Sequence, residues 1–197
     1  MSVTKPSIYR QVAEMHATTI NQGFLSELGP RFLTLLYEAI DQSPSSVLIV
    51  EEEAGHLRGF VSGGAGLGPV YRHLLKRMPA LIGALWPVFF SPSKLGRVVE
   101  VLLHTRKQVA EGLPAAELYS IAVSPEFRGS VVAERLYTAL RKAFAERGIT
   151  DFMIVVGDAL TPAQAFYRKM GAEPKTSVQV HGGVRSIVFV DRHRKQA

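Results

Sequence analysis

The chain has 197 residues, a length that suits one domain, or one domain with an elaborated segment. Apolar residues make up 47%, which argues against disorder, and the absence of cysteine excludes a disulfide scaffold, a thiol nucleophile and a Cys-ligated metal. Lys and Arg outnumber Asp and Glu by 23 to 17, a net +6 that favours an anionic ligand, but the basic residues are scattered and form no nucleic-acid motif.

In chain order, Ile8 to Ala13 reads as a short first strand and Glu14 to Ile20 as helix. Phe24, Leu25 and Leu28 continue an apolar face up to Gly29. Pro30 then opens a helix whose apolar positions are Phe32, Leu35, Leu36, Ala39 and Ile40. Val47 to Glu53 and Leu57 to Ser62 read as a hairpin around Ala54-Gly55-His56, with Gly63, Gly64, Gly66 and Gly68 breaking the second strand. From Pro69 to Glu111 the pattern is helical and apolar. Its longest apolar run, Met78 to Phe90, is interrupted by Pro79 and Pro87 and is shorter than the roughly 20 residues of a membrane span. The amino-terminal stretch has no apolar core of a signal peptide, so a cytoplasmic protein is expected.

Glu117 to Val123 is the next strand. Val132 to Arg147 is amphipathic, with Val132, Leu136, Leu140, Ala143 and Phe144 on one face and Gly148 as its stop. Asp151 to Val156 reads as a buried parallel strand, so strand, helix and strand form a βαβ unit. A helix follows from Thr161, its expected N-cap, to Met170, with Gly171 as stop. Thr176 to Val180 and Val184 to Val190 form a last hairpin around His181-Gly182-Gly183, and a basic tail ends the chain. The fold class expected is mixed α/β: a mostly antiparallel sheet with one central parallel βαβ unit, flanked by helices, with a helical insert at about 66–114 in a single domain.

The chemistry concentrates where the strand ending at Val123 turns through Ser-Pro-Glu-Phe-Arg128-Gly129-Ser130-Val131 into the helix beginning Val132-Ala133. A glycine-containing loop entering a helix points backbone N–H groups at one spot, at the positive end of the helix dipole, which makes an anion site. Arg128 adds a fixed positive charge.

This stretch resembles the central motif of the GNAT superfamily of acyltransferases, a strand followed by R/Q-x-x-G-x-G/A and a long helix. The resemblance implies that the loop, Arg128, Gly129, Ser130, Val131, Val132 and Ala133, holds the pyrophosphate of acetyl-CoA. It implies too that Ile121, Ala122 and Val123 lie along the pantetheine arm, a strand amide there polarising the acetyl carbonyl. The sequence departs from the motif at Val131, where glycine is usual, and at Glu134, a carboxylate next to the expected phosphate that is expected to turn towards Arg135 or solvent. Ala163-Gln-Ala-Phe-Tyr167-Arg-Lys-Met-Gly171 is similar to a second family signature, which implies that Tyr167 protonates the leaving thiolate. The other reading of Phe166 and Tyr167 is two core aromatics. Glu117 aligns with the glutamate that acts as base in histone-type members; the plainer reading is a solvated strand end.

The six histidines have no metal-ligand spacing, no G-x-S-x-G elbow occurs, and no metal is implied. The expected function is acetyl transfer from acetyl-CoA to a primary amine of a small acceptor, with a nucleotide-linked amino sugar as first choice by analogy with surface-polysaccharide enzymes. The alternative is a non-catalytic GNAT-like domain that binds an acyl-CoA or a partner. The insert, with Tyr71, Arg72, Lys76, Arg77, Trp86 and Arg97, is expected to cover the acceptor side; the plain alternative is a homodimer interface.

Overall fold

The computed structural model describes residues 6–20, 24–89, 112–180 and 184–192. The elements are α1 (Pro6–Thr19), α2 (Phe24–Glu27), α3 (Gly29–Gln42), β1 (Ser46–Glu53), β2 (His56–Ala65), α4 (Gly68–Lys76), α5 (Met78–Phe89), β3 (Ala116–Val123), a 3₁₀ turn (Pro125–Phe127), α6 (Val132–Glu146), β4 (Asp151–Gly157), α7 (Thr161–Lys169), β5 (Glu173–Val180) and β6 (Val184–Arg192). They form the expected mixed α/β fold around one six-stranded sheet in the order β1-β2-β3-β4-β6-β5. Every neighbouring pair is antiparallel except β3 and β4, which are parallel and joined through α6.

The first expected strand is instead the start of α1. Ile8, Tyr9, Val12, Ala13 and His16 are buried at spacings of one, four, five and eight, the stripe of a helix lying on a core. A short apolar run fits either period; here the next turn decides. Gly63 and Gly64 do not break β2, which continues to Ala65. A Cβ on Gly63 would lie 2.7 Å from the Glu117 carbonyl oxygen and 2.9 Å from Phe144 Cζ. One on Gly59 would lie 2.8 Å from the Ala122 carbonyl oxygen and 2.9 Å from Leu136 Cδ1. These glycines therefore let α6 settle directly on β2.

Other corrections are local. β4 is not buried on both faces: Phe152, Ile154 and Val156 are buried while Asp151 and Val155 are exposed, because β4 carries a helix layer on one side at those positions. Thr161 is the first helical residue of α7 and makes no capping bond; Leu160 occupies the N-cap position. Pro79 and Pro87 sit within α5 without interrupting it, the first in the opening turn and the second in the closing one. The hairpin turn expected at 181–183, the insert beyond residue 89 up to 111, including Arg97, and the basic tail lie outside the described residues. Among the described residues no helix is long and apolar enough to cross a membrane.

Two cores flank the sheet. On one face, α1, α3 and α4 pack through Val12, Leu33, Leu36, Tyr37 and Val70 onto Leu48, Phe60 and Ala122. On the other, α6 and α7 pack through Leu136, Tyr137, Leu140, Phe144 and Tyr167 onto Val61, Leu118, Ile154 and Phe189.

Candidate active site

β3 and β4 pair only at Glu117–Met153 and Leu118–Ile154. Beyond these rungs the parallel strands part, so the β4-side edge of Tyr119 to Val123 has no ladder partner in that strand. Backbone N–H and C=O groups left open on a strand edge are ready to pair with an extended ligand.

At the end of β3 the chain is fixed before it reaches the loop. The Ser124 N–H donates to the Arg58 carbonyl at 2.8 Å, and the Arg58 guanidinium lies 4.6 Å from the Phe127 ring centre. The loop's one left-handed residue is Gly129, φ +77°. Val131, by contrast, has φ −73° and ψ −1°, a conformation open to any L-residue, so the absence of glycine there causes no strain. Ser130 Oγ donates to the Phe127 carbonyl at 2.6 Å and accepts the Val132 N–H at 3.3 Å. The first bond reaching back from α6 is Arg135 N–H to the Val131 carbonyl at 3.0 Å, so helix geometry leaves the N–H groups of Ala133 and Glu134 unclaimed. Arg128, Gly129, Ser130 and Val131 are all exposed.

Glu134 does not turn to Arg135. Its Oε1 accepts from Lys169 Nζ of α7 at 2.6 Å, while Arg135 pairs with Glu51 of β1. The carboxylate beside this loop is thus paired with a lysine from the neighbouring helix. Beyond the loop, a shallow concavity of about 380 Å³ runs along α6, lined by Val131, Glu134, Arg135, Thr138, Ala139 and Lys142.

Glu117 lies at the rung where β3 joins β4, half-buried, opposite Gly64 of β2. Burial raises its carboxyl from an ordinary 4.5 to about 7. The register then slips: Ser62 faces Ser120 and Gly63 faces Leu118, which leaves Tyr119 as the extra residue of a β-bulge. Tyr119 packs with the α1/α3/α4 core, and Tyr37, 1% exposed, belongs to the same core. The Tyr37 hydroxyl lies 2.5 Å from His16 Nδ1. Burial lowers His16 to about 4, so it is neutral at pH 7.

Tyr167 is 5% exposed. Its ring sits 6.0 Å from Tyr137, 5.4 Å from Phe166 and 6.2 Å from Phe189, and burial raises its phenol, keeping it protonated and able to donate. The structure therefore brings Arg128, Gly129, Ser130, Val131, Val132 and Ala133 together with Ile121, Ala122 and Val123 around the end of one strand. It sets Glu117 at the opposite end of that strand and Tyr167 in the adjacent aromatic core. Sequence reasoning missed Lys169, Tyr119, Ser62, Tyr37 and His16. For Tyr119 a signal was present: Glu117 and Tyr119 are polar at period two inside an apolar strand. For Lys169, no local pattern marks a contact with a residue 35 positions away.

Comparison with known proteins gives a consistent picture. A ribosomal protein bS18-alanine N-acetyltransferase assignment from Bacillus subtilis (strain 168) is 29% identical over 76 residues, covering 39% of this chain and 46% of that protein. The match thus spans about half the length of that curated relative. Among solved structures, an aminoglycoside 6'-N-acetyltransferase complexed with coenzyme A superposes with a TM-score of 0.63 at 12% identity, covering 100% of this chain and 97% of the other. The ribosomal-protein-S18-alanine N-acetyltransferase of Escherichia coli gives 0.59 at 12% identity, covering 100% and 94%. These two likenesses establish the fold. The model of the acetyltransferase (GNAT) family matches residues 17–172, from α1 through the loop before α6 to just past α7, and the chain belongs to that family.

Proposed function

We propose that this protein transfers the acetyl group of acetyl-CoA to a primary amine of a small acceptor. The observation that carries this reading is the exposed loop entering the α6 N-terminus, where the N–H groups of Ala133 and Glu134 are unclaimed, beside the parted strands β3 and β4 with Glu117 at their junction. The residues fit the co-substrate. Arg128 and the unclaimed N–H groups of Ala133 and Glu134, at the end of the Gly129–Ala133 loop, suit a pyrophosphate. The open edge of β3 at Ile121, Ala122 and Val123 suits the amides of a pantetheine arm. Acetyl-CoA supplies an activated thioester; the chain's own groups do the rest.

Glu117, poised near neutrality, accepts the proton of the acceptor ammonium. The freed amine attacks the acetyl carbon, the carbonyl being polarised by a β3 amide. As the carbon–sulfur bond breaks, the Tyr167 hydroxyl supplies the thiolate's proton; the second proton of the attacking nitrogen, shed through water, restores the Tyr167 phenol, and Glu117 releases the first to solvent. Relatives bearing the names above act on a ribosomal-protein alanine and on an aminoglycoside; a nucleotide-linked amino sugar remains this chain's first candidate on analogy. We place the protein in the cytoplasm as a single domain, working without a metal.

The insert contributes α4 and α5 to the same face as Tyr119, where Val70 and Leu74 join the core, which supports its role in covering the acceptor. A second reading has its own observation: Leu75, Met78, Ile82 and Trp86 form an exposed apolar row, suited to contact between two copies of the chain. The alternative of a non-catalytic acyl-CoA-binding domain loses support from the ordinary φ of Val131 and from the Lys169 partner of Glu134.

Thermal melting with acetyl-CoA tests the proposal. At 100 times its Kd the ligand adds about 2.7 kcal/mol to stability, and thiol release should follow on adding an amine. An unchanged Tm at saturation removes the loop reading. Binding without thiol release across amines favours the non-catalytic domain.

A further inference from the structure

Among the described residues, three buried side-chain polar atoms have no hydrogen-bond partner: Arg58 Nε, Ser62 Oγ and the Tyr119 hydroxyl. Arg58 is still held through its terminal nitrogen by Glu53. Ser62 and Tyr119 have no such compensation, and the two stand on facing strands at one register slip. Ser62 is the last β2 residue before the register slip, and Tyr119 is the bulged residue that the slip leaves over on β3. Ser62 follows Phe60 at period two and so shares its side of the sheet, the side on which Tyr119 packs. An orphaned buried hydroxyl is costly, so a fold that keeps two at one register slip holds them for something that supplies partners.

Their position says what that is. Glu117 precedes Tyr119 by two residues, about 7 Å along the strand; burial above all, and after it the nearness of Glu117 and of Tyr71 on α4, raises the Tyr119 phenol. Tyr119 as a whole remains half-buried, with surface left on its ring, while its hydroxyl is covered. Each hydroxyl can donate and accept. A small molecule whose amine is at Glu117 would place its next functional group at this pair.

We propose that the Tyr119 and Ser62 hydroxyls form an acceptor subsite that reads an oxygen carried close to the reacting amine, so that amino alcohols and amino carbonyls are preferred over plain alkylamines. This rests on acetyl transfer at Glu117. The shared chemistry, an amine with a neighbouring oxygen, occurs in amino sugars and at peptide amino termini.

The test measures thiol release from acetyl-CoA with n-propylamine, ethanolamine, glucosamine and glycinamide, for the parent chain and for Tyr119→Phe and Ser62→Ala. The parent chain should favour the oxygen-bearing amines. Tyr119→Phe should lower the ratio of kcat/KM for ethanolamine over n-propylamine about 10-fold, and Ser62→Ala should lower it in the same direction. Which of glucosamine and glycinamide loses more identifies the source of the oxygen. Because the Phe variant removes an orphaned hydroxyl, its Tm should hold or rise. A fall in Tm with an unchanged ratio would mean the hydroxyl serves the fold through a buried water, and the subsite is lost. Equal kcat/KM for all four amines overturns the subsite alone. Acetyl-CoA binding with no thiol release from any of them overturns the transfer reading, and the subsite with it.

Discussion

The two faces of the sheet are built on opposite terms. The α6/α7 face is apolar and aromatic. Tyr137 stands 5.9 Å from Phe152, Phe144 stands 5.1 Å from Phe152, and the buried carboxylate is matched twice: Tyr137 donates to Asp191 at 2.5 Å and Arg141 bonds it at 3.0 Å. The α1/α3/α4 face carries Glu117, Tyr119, Ser62, Ser120, Tyr37 and His16 into its core, two of them unmatched. The first face fixes where the anion loop begins; the second tolerates unsatisfied polarity beside the proposed reacting amine. The matched carboxylate and the unmatched hydroxyls are thereby separated by one layer of strands.

The largest expected effects fall on the proposed proton-transfer groups, one from each face. Glu117→Gln and Tyr167→Phe should each lower turnover by roughly 100- to 10,000-fold, read from single-turnover thiol release. The Glu117 deficit should peak just above pH 7 and shrink below it, since the native carboxyl, at about 7, is itself protonated there. A Tyr167→Phe variant with full turnover would return Tyr167 to the role of a core aromatic.

Next comes the matched network. Asp191 is fully buried, and Asp191→Ala would strand Arg141 and Tyr137, at a cost of about 3–5 kcal/mol by urea unfolding. Gly63→Ala forces a Cβ against the Glu117 carbonyl and Phe144, and should cost about 1–3 kcal/mol while shifting the Glu117 pH profile.

Glu117 and His16 should give the α1/α3/α4 face opposite pH slopes. The native carboxyl of Glu117 holds its proton up to about 7, against 4.5 ordinarily, so stability is lost as pH rises between these values. The native imidazole of His16 releases its proton down to about 4, against 6.5 ordinarily, so stability is lost as pH falls between those values. Each displacement corresponds to about 3 kcal/mol. Glu117→Gln should therefore gain stability over the parent chain at pH 8 and not at pH 4, and His16→Gln should flatten the acid limb. The smallest effect is expected at Glu51–Arg135, an exposed pair tying β1 to α6, where a double-mutant cycle should give at most about 1 kcal/mol.

Much of this was legible in the sequence where a long period or a strong stop was present. Val132, Leu136, Leu140 and Phe144 recur every four residues, and Gly148, φ +74°, ends the helix they define. The loop at Arg128 and the parallel strand after α6 followed from the same order of elements. What failed was short or non-local. Ile8 to Ala13 is too brief to separate two periods. Gly63 reads as a strand breaker until the aromatic ring of Phe144, 81 positions later in numbering, is known to press on it (residues 63 and 144). The bulge at Tyr119 depends on the register of two strands separated by the whole insert, and no residue in either announces it.

The pairing of β3 with β4 has a consequence for cooperativity. With β1-β2-β3 on one side and β4-β6-β5 on the other, the two three-stranded sets share only two ladder rungs, and α6 is the element that spans them. Amide hydrogen exchange should reveal two foldons, with backbone amides along the seam from Tyr119 to Val123 opening at lower free energy than those inside either set. A ligand strand lying in the gap would supply the missing rungs, so the same compound that is consumed in turnover would also weld the two foldons into one cooperative unit.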